Sequence, residues 1–103
     1  MVVNVLLFKE SRGYVAQCLE HDIAAQGKTE KKAIESFVKT IAGQIRLDVK
    51  YGKEPLSGIQ RAPKAFWDEF EKAKPVPKKR PIYFPEEMIP SIRATAEFAF
   101  AAY

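Results

Sequence analysis

The sequence predicts one α+β domain, and three observations lead to that prediction. Short runs of alternating or β-branched apolar residues occur near the start of the chain, one long amphipathic segment follows, and another alternating run lies near the end. The chain has 103 residues, 47% of them hydrophobic and 29% charged, as expected of a globular domain with one core. We therefore expect a single domain over residues 1–103.

Three strands are predicted in the first 26 residues. Residues 2–9 are rich in β-branched and large apolar side chains, and the run is too short for an independent helix. Residues 14–20 and 23–26 read as the second and third strands, separated by polar turns. Because connections this short force neighbouring strands to run antiparallel, we expect a three-stranded meander.

A long helix is predicted over residues 29–51. Thr29 is a suitable N-cap, Glu30 is favourably placed in the first turn, and Gly52 is a suitable terminating residue. Apolar residues recur at helical spacing along one face of this segment, which predicts the face that packs on the sheet. They are Ala33, Ile34, Phe37, Val38, Ile41, Ile45 and Val49.

Residues 53–90 are predicted to form an elaborated crossover, containing a second helix, between this helix and the last strand. Residues 53–62 form a loop, and Pro63 suits the first position of a second helix, whose apolar stripe contains Phe66, Trp67 and Phe70. The proline-rich residues 75–81 are expected to be extended. Residues 92–100 alternate with period two, which favours a strand, although their alanines leave a helix open.

The predicted order of the four strands in the sheet is 3-2-1-4. A final strand beside the first and parallel to it gives a right-handed crossover. Both faces of this sheet carry apolar side chains, whereas the first helix covers only one of them. The second face is covered by the helix containing Phe66, Trp67 and Phe70, by a second copy of the protein, or by a partner.

The polar turn at Glu20, His21 and Asp22 is the one place where acidic groups and an imidazole lie together. Adjacent turn residues project in different directions, and no nucleophile or metal motif accompanies them. A two-metal nuclease needs clustered carboxylates, but Glu10, Glu20 and Asp22 all fall at predicted turns. We therefore expect no catalytic residues, no metal and no cofactor, and interpret the protein as a non-enzyme.

The remaining chemical signals are a cysteine and a basic stretch. Cys18 is the single cysteine and is interpreted as a buried small hydrophobic residue, which fits a reducing, cytoplasmic location. No apolar run approaches the roughly 20 residues of a membrane span, and the start does not resemble a signal peptide. Lys78, Lys79 and Arg80 lie near aromatic residues and permit contact with nucleic acid, although a solvated linker is the favoured interpretation.

Residues 13–29 read Gly-Tyr-Val-Ala-Gln-Cys-Leu-Glu-His-Asp-Ile-Ala-Ala-Gln-Gly-Lys-Thr and lead into the helix that begins Glu-Lys-Lys-Ala-Ile-Glu-Ser-Phe. Two strands, a polar turn, Gly-x-Thr and an amphipathic helix in this order resemble the HicB-like family of small antitoxins. The resemblance implies a partial ribonuclease-H-like fold, β-β-β-α-(α)-β with sheet order 3-2-1-4. It also implies a stand-alone homodimer or homotetramer that binds and masks a HicA-type mRNA-cleaving toxin.

For such a binding module, Glu20, His21 and Asp22 are the expected partner-binding residues. Their carboxylates suit lysines that a toxin otherwise offers to RNA phosphate. The alternative function is an orphan HicB-like accessory domain that binds nucleic acid or acts as a homo-oligomeric scaffold.

Overall fold

The fold is α+β, as predicted. A computed structural model describes residues 2–75, 80–82 and 94–100, with side chains described for residues 3–73. The elements in chain order are β1 (Val2–Glu10), β2 (Gly13–Cys18), β3 (Ala24–Gly27), α1 (Glu30–Lys50), α2 (Lys64–Lys72), β4 (Lys74–Pro75), β5 (Arg80–Ile82) and β6 (Ala94–Phe100). Neither helix in this part of the chain has the length and apolar character needed to cross a membrane.

The strands form one mixed sheet with β1 near its centre. β1 pairs antiparallel with β2 and parallel with β6, and β3 extends the sheet beyond β2 in the order β3-β2-β1-β6-β4. The sequence predicts four strands, and the described residues form two more, because β4 and β5 both pair antiparallel with β6. Each of these short strands contains a proline, Pro75 or Pro81, a residue that sheets accept mainly at their edges.

Most element boundaries agree with the sequence predictions to within one or two residues. β2 ends at Cys18, before the predicted limit of residue 20, because the ladder with β1 is left incomplete at Leu19. The Leu19 carbonyl accepts from the Ala62 amide at 2.9 Å, and the Asn4 amide donates to Glu20 Oε1 at 2.7 Å. The period-two pattern of the last segment predicts its structure correctly, since residues 94–100 form a strand. Residues 92 and 93 lie outside the described part of the chain.

The long helix α1 has the N-cap that the sequence predicts. Thr29 has an extended backbone, and its hydroxyl accepts a hydrogen bond from the Lys32 amide at 3.1 Å. At the other end Gly52 takes a left-handed conformation, with φ at 71°. The helix is therefore delimited by local signals at both ends.

One face of the sheet packs against α1 to form the main core. Along β1 and β2, alternate side chains point to α1, as the period of a strand requires. The core also contains Leu56, from the loop after α1. The buried residues of this cluster are Val3, Val5, Leu7, Ala16, Cys18, Ile23, Ala25, Ala33, Phe37, Ile41, Ile45 and Leu56.

The loop over residues 53–62, here called the crossing loop, is anchored to α1 by Asp48. This carboxylate is buried and accepts hydrogen bonds from the Leu56 amide at 2.8 Å and from Gln44 Nε2 at 3.1 Å. Leu56 itself is fully buried with a left-handed φ of 65°. Neither Asp48 nor Leu56 was identified from the sequence, because the core position of Leu56 depends on where the loop crosses.

The second face of the sheet is covered in part by α2. Leu6, Val15 and Leu19 are buried on this face. The ring of Phe8 stacks on that of Phe66, with centroids 5.9 Å apart and planes 28° from parallel. Part of the second face is therefore covered from within the chain by α2, which is one of the three alternatives that the sequence leaves open.

The other two aromatic residues of the predicted stripe are less enclosed. Trp67 and Phe70 are half-buried, like Phe66, and no residue of α2 is fully buried. The Arg61 guanidinium lies 4.1 Å from the centre of the Trp67 ring, in the geometry of a cation–π contact.

Candidate functional site

The predicted polar turn is joined to the crossing loop by backbone hydrogen bonds. The Asp22 amide donates to the Gln60 carbonyl at 2.7 Å, and the Ala62 amide donates to the Leu19 carbonyl at 2.9 Å. These bonds hold the turn between β2 and β3 against the segment that carries the chain from one face of the sheet to the other. The backbone position of the turn is therefore fixed by tertiary contacts.

The Glu20 side chain is hydrogen-bonded to the start of β1. Its Oε1 accepts from the Asn4 amide at 2.7 Å, and its Oε2 accepts from Asn4 Nδ2 at 2.9 Å. The side chain is half-buried, so this paired contact replaces hydrogen bonds that water would otherwise make. We infer that Glu20 mainly positions the turn, because both of its oxygens already have partners.

His21 contacts the crossing loop. Its Nδ1 lies 3.4 Å from the Ile59 carbonyl oxygen, and the ring is half-buried. In the tautomer that carries hydrogen on Nδ1, the ring donates to that carbonyl. This contact orients the imidazole toward the crossing loop.

Asp22 is the exposed member of the predicted site. Its Oδ1 accepts from Gln17 Nε2 at 2.9 Å, and the same amide nitrogen lies 3.0 Å from the Cys18 carbonyl. Gln17 is buried, with 5% of its surface exposed, and therefore fixes the rotamer of an exposed carboxylate. Among the three predicted residues, Asp22 is the one suited to meet a cationic partner.

Asn4 and Gln17, which orient Glu20 and Asp22, were not identified from the sequence. Each is a single amide with apolar residues on both sides, Asn4 between two valines and Gln17 between Ala16 and Cys18. That isolation was the available signal, because a polar side chain in a buried run requires an internal hydrogen-bond partner.

The carboxylates considered for a two-metal nuclease lie at opposite ends of β1. Glu20 bonds to Asn4 near the start of β1, and Glu10 is the last residue of that strand. Six residues of strand span roughly 20 Å, far more than the 4 Å that separates paired metal ions. Within the part of the chain that the structure describes, no three His, Cys, Asp or Glu residues form a candidate metal site.

Cys18 is a free thiol in the core beneath the polar turn. Its side chain is fully buried, and removal from water raises its pKa from the ordinary value of 9.0 to about 11. The thiol is therefore protonated at neutral pH and is a poor nucleophile. This environment agrees with its interpretation as a small hydrophobic residue.

A shallow cleft of about 190 Å³ lies at the other end of the meander, lined by Glu10, Arg12, Gly13, Tyr14, Gln26, Gly27 and Lys28. Gly27, one of the lining residues, has α1 packed directly against it, and a Cβ here would come within 2.3 Å of the Ala33 nitrogen. The cleft mixes two cations with one carboxylate, and it was not identified from the sequence.

The basic stretch falls largely outside the described residues. Lys78 and Lys79 are not described, and Arg80 is the first residue of β5, where its backbone pairs with Ala96. Its part in nucleic-acid contact stays a prediction.

No protein-family model, curated protein or solved structure matches this chain. The interpretation of function therefore depends on the residue pattern and on the geometry of the polar turn.

Proposed function

We propose that this chain is a stand-alone HicB-like antitoxin that neutralises a HicA-type mRNA-cleaving toxin by binding to it. The support is the residue pattern of positions 13–37 together with the element order, three strands followed by a long helix and a returning strand. In addition, β6 runs parallel to β1 and directly beside it, as the family order 3-2-1-4 requires of its fourth strand.

The proposed binding mode rests on the position and exposure of the Asp22 carboxylate. Its exposed carboxylate accepts a hydrogen bond from the buried Gln17 amide. Backbone hydrogen bonds also fix the turn to β1 and to the crossing loop. Such a preorganised anion loses little conformational freedom when it pairs with a lysine of a partner. The proposed action is occlusion of the toxin surface that binds RNA, with no bond made or broken by this chain.

The test is neutralisation of a HicA-type toxin encoded beside this gene. Co-expression should restore growth, and the purified chain should abolish RNA cleavage by the toxin. Asp22→Asn removes the charge but keeps an oxygen for Gln17, so it should weaken toxin binding about tenfold while leaving the fold intact. Glu71→Gln, at an exposed position on α2, removes the same charge and should leave toxin binding unchanged.

Persistent growth arrest during co-expression, or the absence of such a toxin gene, would exclude the antitoxin function. The alternative would then be an accessory domain that binds nucleic acid or acts as a homo-oligomeric scaffold.

A further inference from the structure

The outward side of α1 is exposed, and the two halves of the helix differ in charge. The first half carries both signs, with Glu30 and Glu35 beside its lysines. From residue 39 onward every exposed charged side chain of α1 is a cation, because the one carboxylate there, Asp48, is buried and bonded to the crossing loop. These cations are Lys39, Arg46 and Lys50.

The three cations form one row on the side of α1 opposite the core. At roughly 3.6 residues per turn they fall within about 40° of one another and face away from Ile41, which is fully buried. Arg46 and Lys50 are one turn apart, a spacing at which like charges destabilise a helix. The helix dipole favours a cation in the last turn only, so it does not account for Lys39. Among the described side chains the one ion pair lies on α2, so this row is not neutralised within that part of the chain.

An apolar row runs beside the cations. Leu47 and Tyr51 are one turn apart, with 46% and 67% of their surfaces exposed, and they are the exposed large apolar side chains of the described part of the chain. Single exposed apolar residues are ordinary on a protein surface. Two that adjoin each other beside unpaired cations form a patch suited to a partner with both apolar and acidic groups.

Gly43 lies one turn before Leu47 and leaves a gap in the apolar row. A Cβ at this position would have no atom within 4 Å, so no close contact requires glycine here. Glycine inside a helix is also less stable than alanine. A gap of this kind admits a side chain of a second helix close to the helix backbone. The outer α1 patch is defined as Lys39, Gly43, Arg46, Leu47, Lys50 and Tyr51.

We propose that the outer α1 patch docks an acidic amphipathic helix of another protein. Apolar side chains of that helix pack on Leu47 and Tyr51, and one of them enters the gap at Gly43. Its carboxylates pair with the cation row. The charge of this partner is opposite to that of the toxin proposed to meet Asp22, so the two interactions are separate.

The combination of charge and apolar surface selects this occupant. A second copy of the chain, docked through the same patch, would bring the two cation rows together, which opposes association. A nucleic-acid backbone would satisfy the cations but would offer no apolar group to Leu47. An anionic membrane would gain only two apolar side chains, whereas membrane binding by a helix scales with the apolar area that it inserts.

The first test measures binding of the whole chain to labelled probes by fluorescence anisotropy, without any toxin. The main probe is a helical peptide of about 20 residues with leucines at helical spacing flanked by glutamates. Its comparison probes are the same peptide with glutamine for glutamate, a single-stranded RNA of equal net charge and phosphatidylserine vesicles. At physiological salt the acidic peptide should bind at least about tenfold more tightly than the glutamine peptide and the RNA. Absence of binding, equal binding of the glutamine peptide, or tighter binding of the RNA or the vesicles would overturn the proposal.

Charge reversal locates the site on α1. Lys39→Glu combined with Arg46→Glu should weaken binding of the acidic peptide at least about tenfold, because two attractive charges become repulsive. The matched control combines Lys64→Glu with Lys72→Glu on α2, at exposed positions on the other face of the sheet. It makes the same change in net charge and should alter the affinity by less than about twofold. Equal losses in the two variants would show attraction to net charge alone and would contradict a site on α1.

Gly43→Gln separates docking from stability. Glutamine is a better helix former than glycine and has open space at its Cβ, so the variant should be at least as stable in a thermal melt. Its side chain fills the gap in the apolar row, and binding of the acidic peptide should fall at least about fivefold. Unchanged affinity in the folded variant would rule out close approach of a partner helix at Gly43.

Discussion

At the scale of single residues, the polar turn combines structural and exposed groups. Glu20 completes the start of β1 through two hydrogen bonds to Asn4, whereas Asp22 is exposed and held by Gln17. Replacing the whole turn with alanine would therefore disturb the fold as well as any partner contact. Single substitutions separate these effects, because each side chain has its own internal partner.

We expect Glu20→Ala to lower the free energy of unfolding by about 1–3 kcal/mol, because it leaves the half-buried amide groups of Asn4 without their acceptor. Urea denaturation measures this loss. The matched control is Glu54→Ala, which removes an exposed carboxylate from the crossing loop and should change stability by less than about 0.5 kcal/mol. Equal losses for the two variants would contradict a structural role for Glu20.

Cys18 should make the protein more sensitive to alkali. Because burial raises its pKa from 9.0 to about 11, the stability gained by keeping the thiol protonated is complete below pH 9 and is lost as the pH rises to 11. The loss should be on the order of 2–3 kcal/mol relative to Cys18→Ala, measured by urea denaturation across this range. Rapid reaction of the folded thiol with a disulfide reagent at neutral pH would contradict its buried state.

At the scale of elements, the packing of α1 on β3 depends on a missing side chain. Gly27 lies against the first turn of α1, and its α-carbon has no room for a methyl group. The Gly-x-Thr sequence thus serves two local purposes, since the glycine permits the close approach and Thr29 caps the helix.

Gly27→Ala and Gly43→Ala should change stability in opposite directions. A Cβ at position 27 would come within 2.3 Å of the Ala33 backbone nitrogen, and α1 would have to move. We expect a loss of at least about 2 kcal/mol. Gly43 is exposed within α1 with nothing within 4 Å of the added carbon, so alanine there should stabilise by about 0.5–1 kcal/mol. Thermal melts give both signs directly.

At the scale of the whole molecule, the two faces of the sheet are covered by successive parts of one connection. α1 covers one face, the crossing loop passes the polar turn, and α2 reaches the other face through Phe66. The polar turn therefore stabilises the passage between the two layers. A partner bound at this turn would contact a part of the fold that backbone hydrogen bonds hold to the crossing loop.

Phe66→Ala should destabilise the protein more than Trp67→Ala. Phe66 stacks on Phe8 of β1, whereas the half-buried Trp67 ring is contacted by exposed Arg61. We expect losses of about 2 kcal/mol for Phe66→Ala and about 1 kcal/mol for Trp67→Ala, both below the 3–5 kcal/mol of a fully buried aromatic residue. The reverse order in chemical denaturation would show that Trp67 provides the main contact of α2.

The sequence by itself determined the features that depend on local chemistry. Alternating or β-branched apolar runs predict β1, β2, β3 and β6, and the 3.6-residue period predicts the buried face of α1. Thr29 and Gly52 mark the ends of α1, because these signals act within a few residues. The sequence also located the polar turn, where acid and imidazole are adjacent in the chain.

Only the tertiary structure decided which polar groups meet across long separations. Asn4 is sixteen residues from Glu20, and Ile59 is thirty-eight from His21, so no local pattern specifies these hydrogen bonds. The same holds for the pairing of β4 and β5 with β6 and for the buried, left-handed Leu56. The place of β3 at one end of the sheet, among the strands that the structure describes, likewise follows from the strand order.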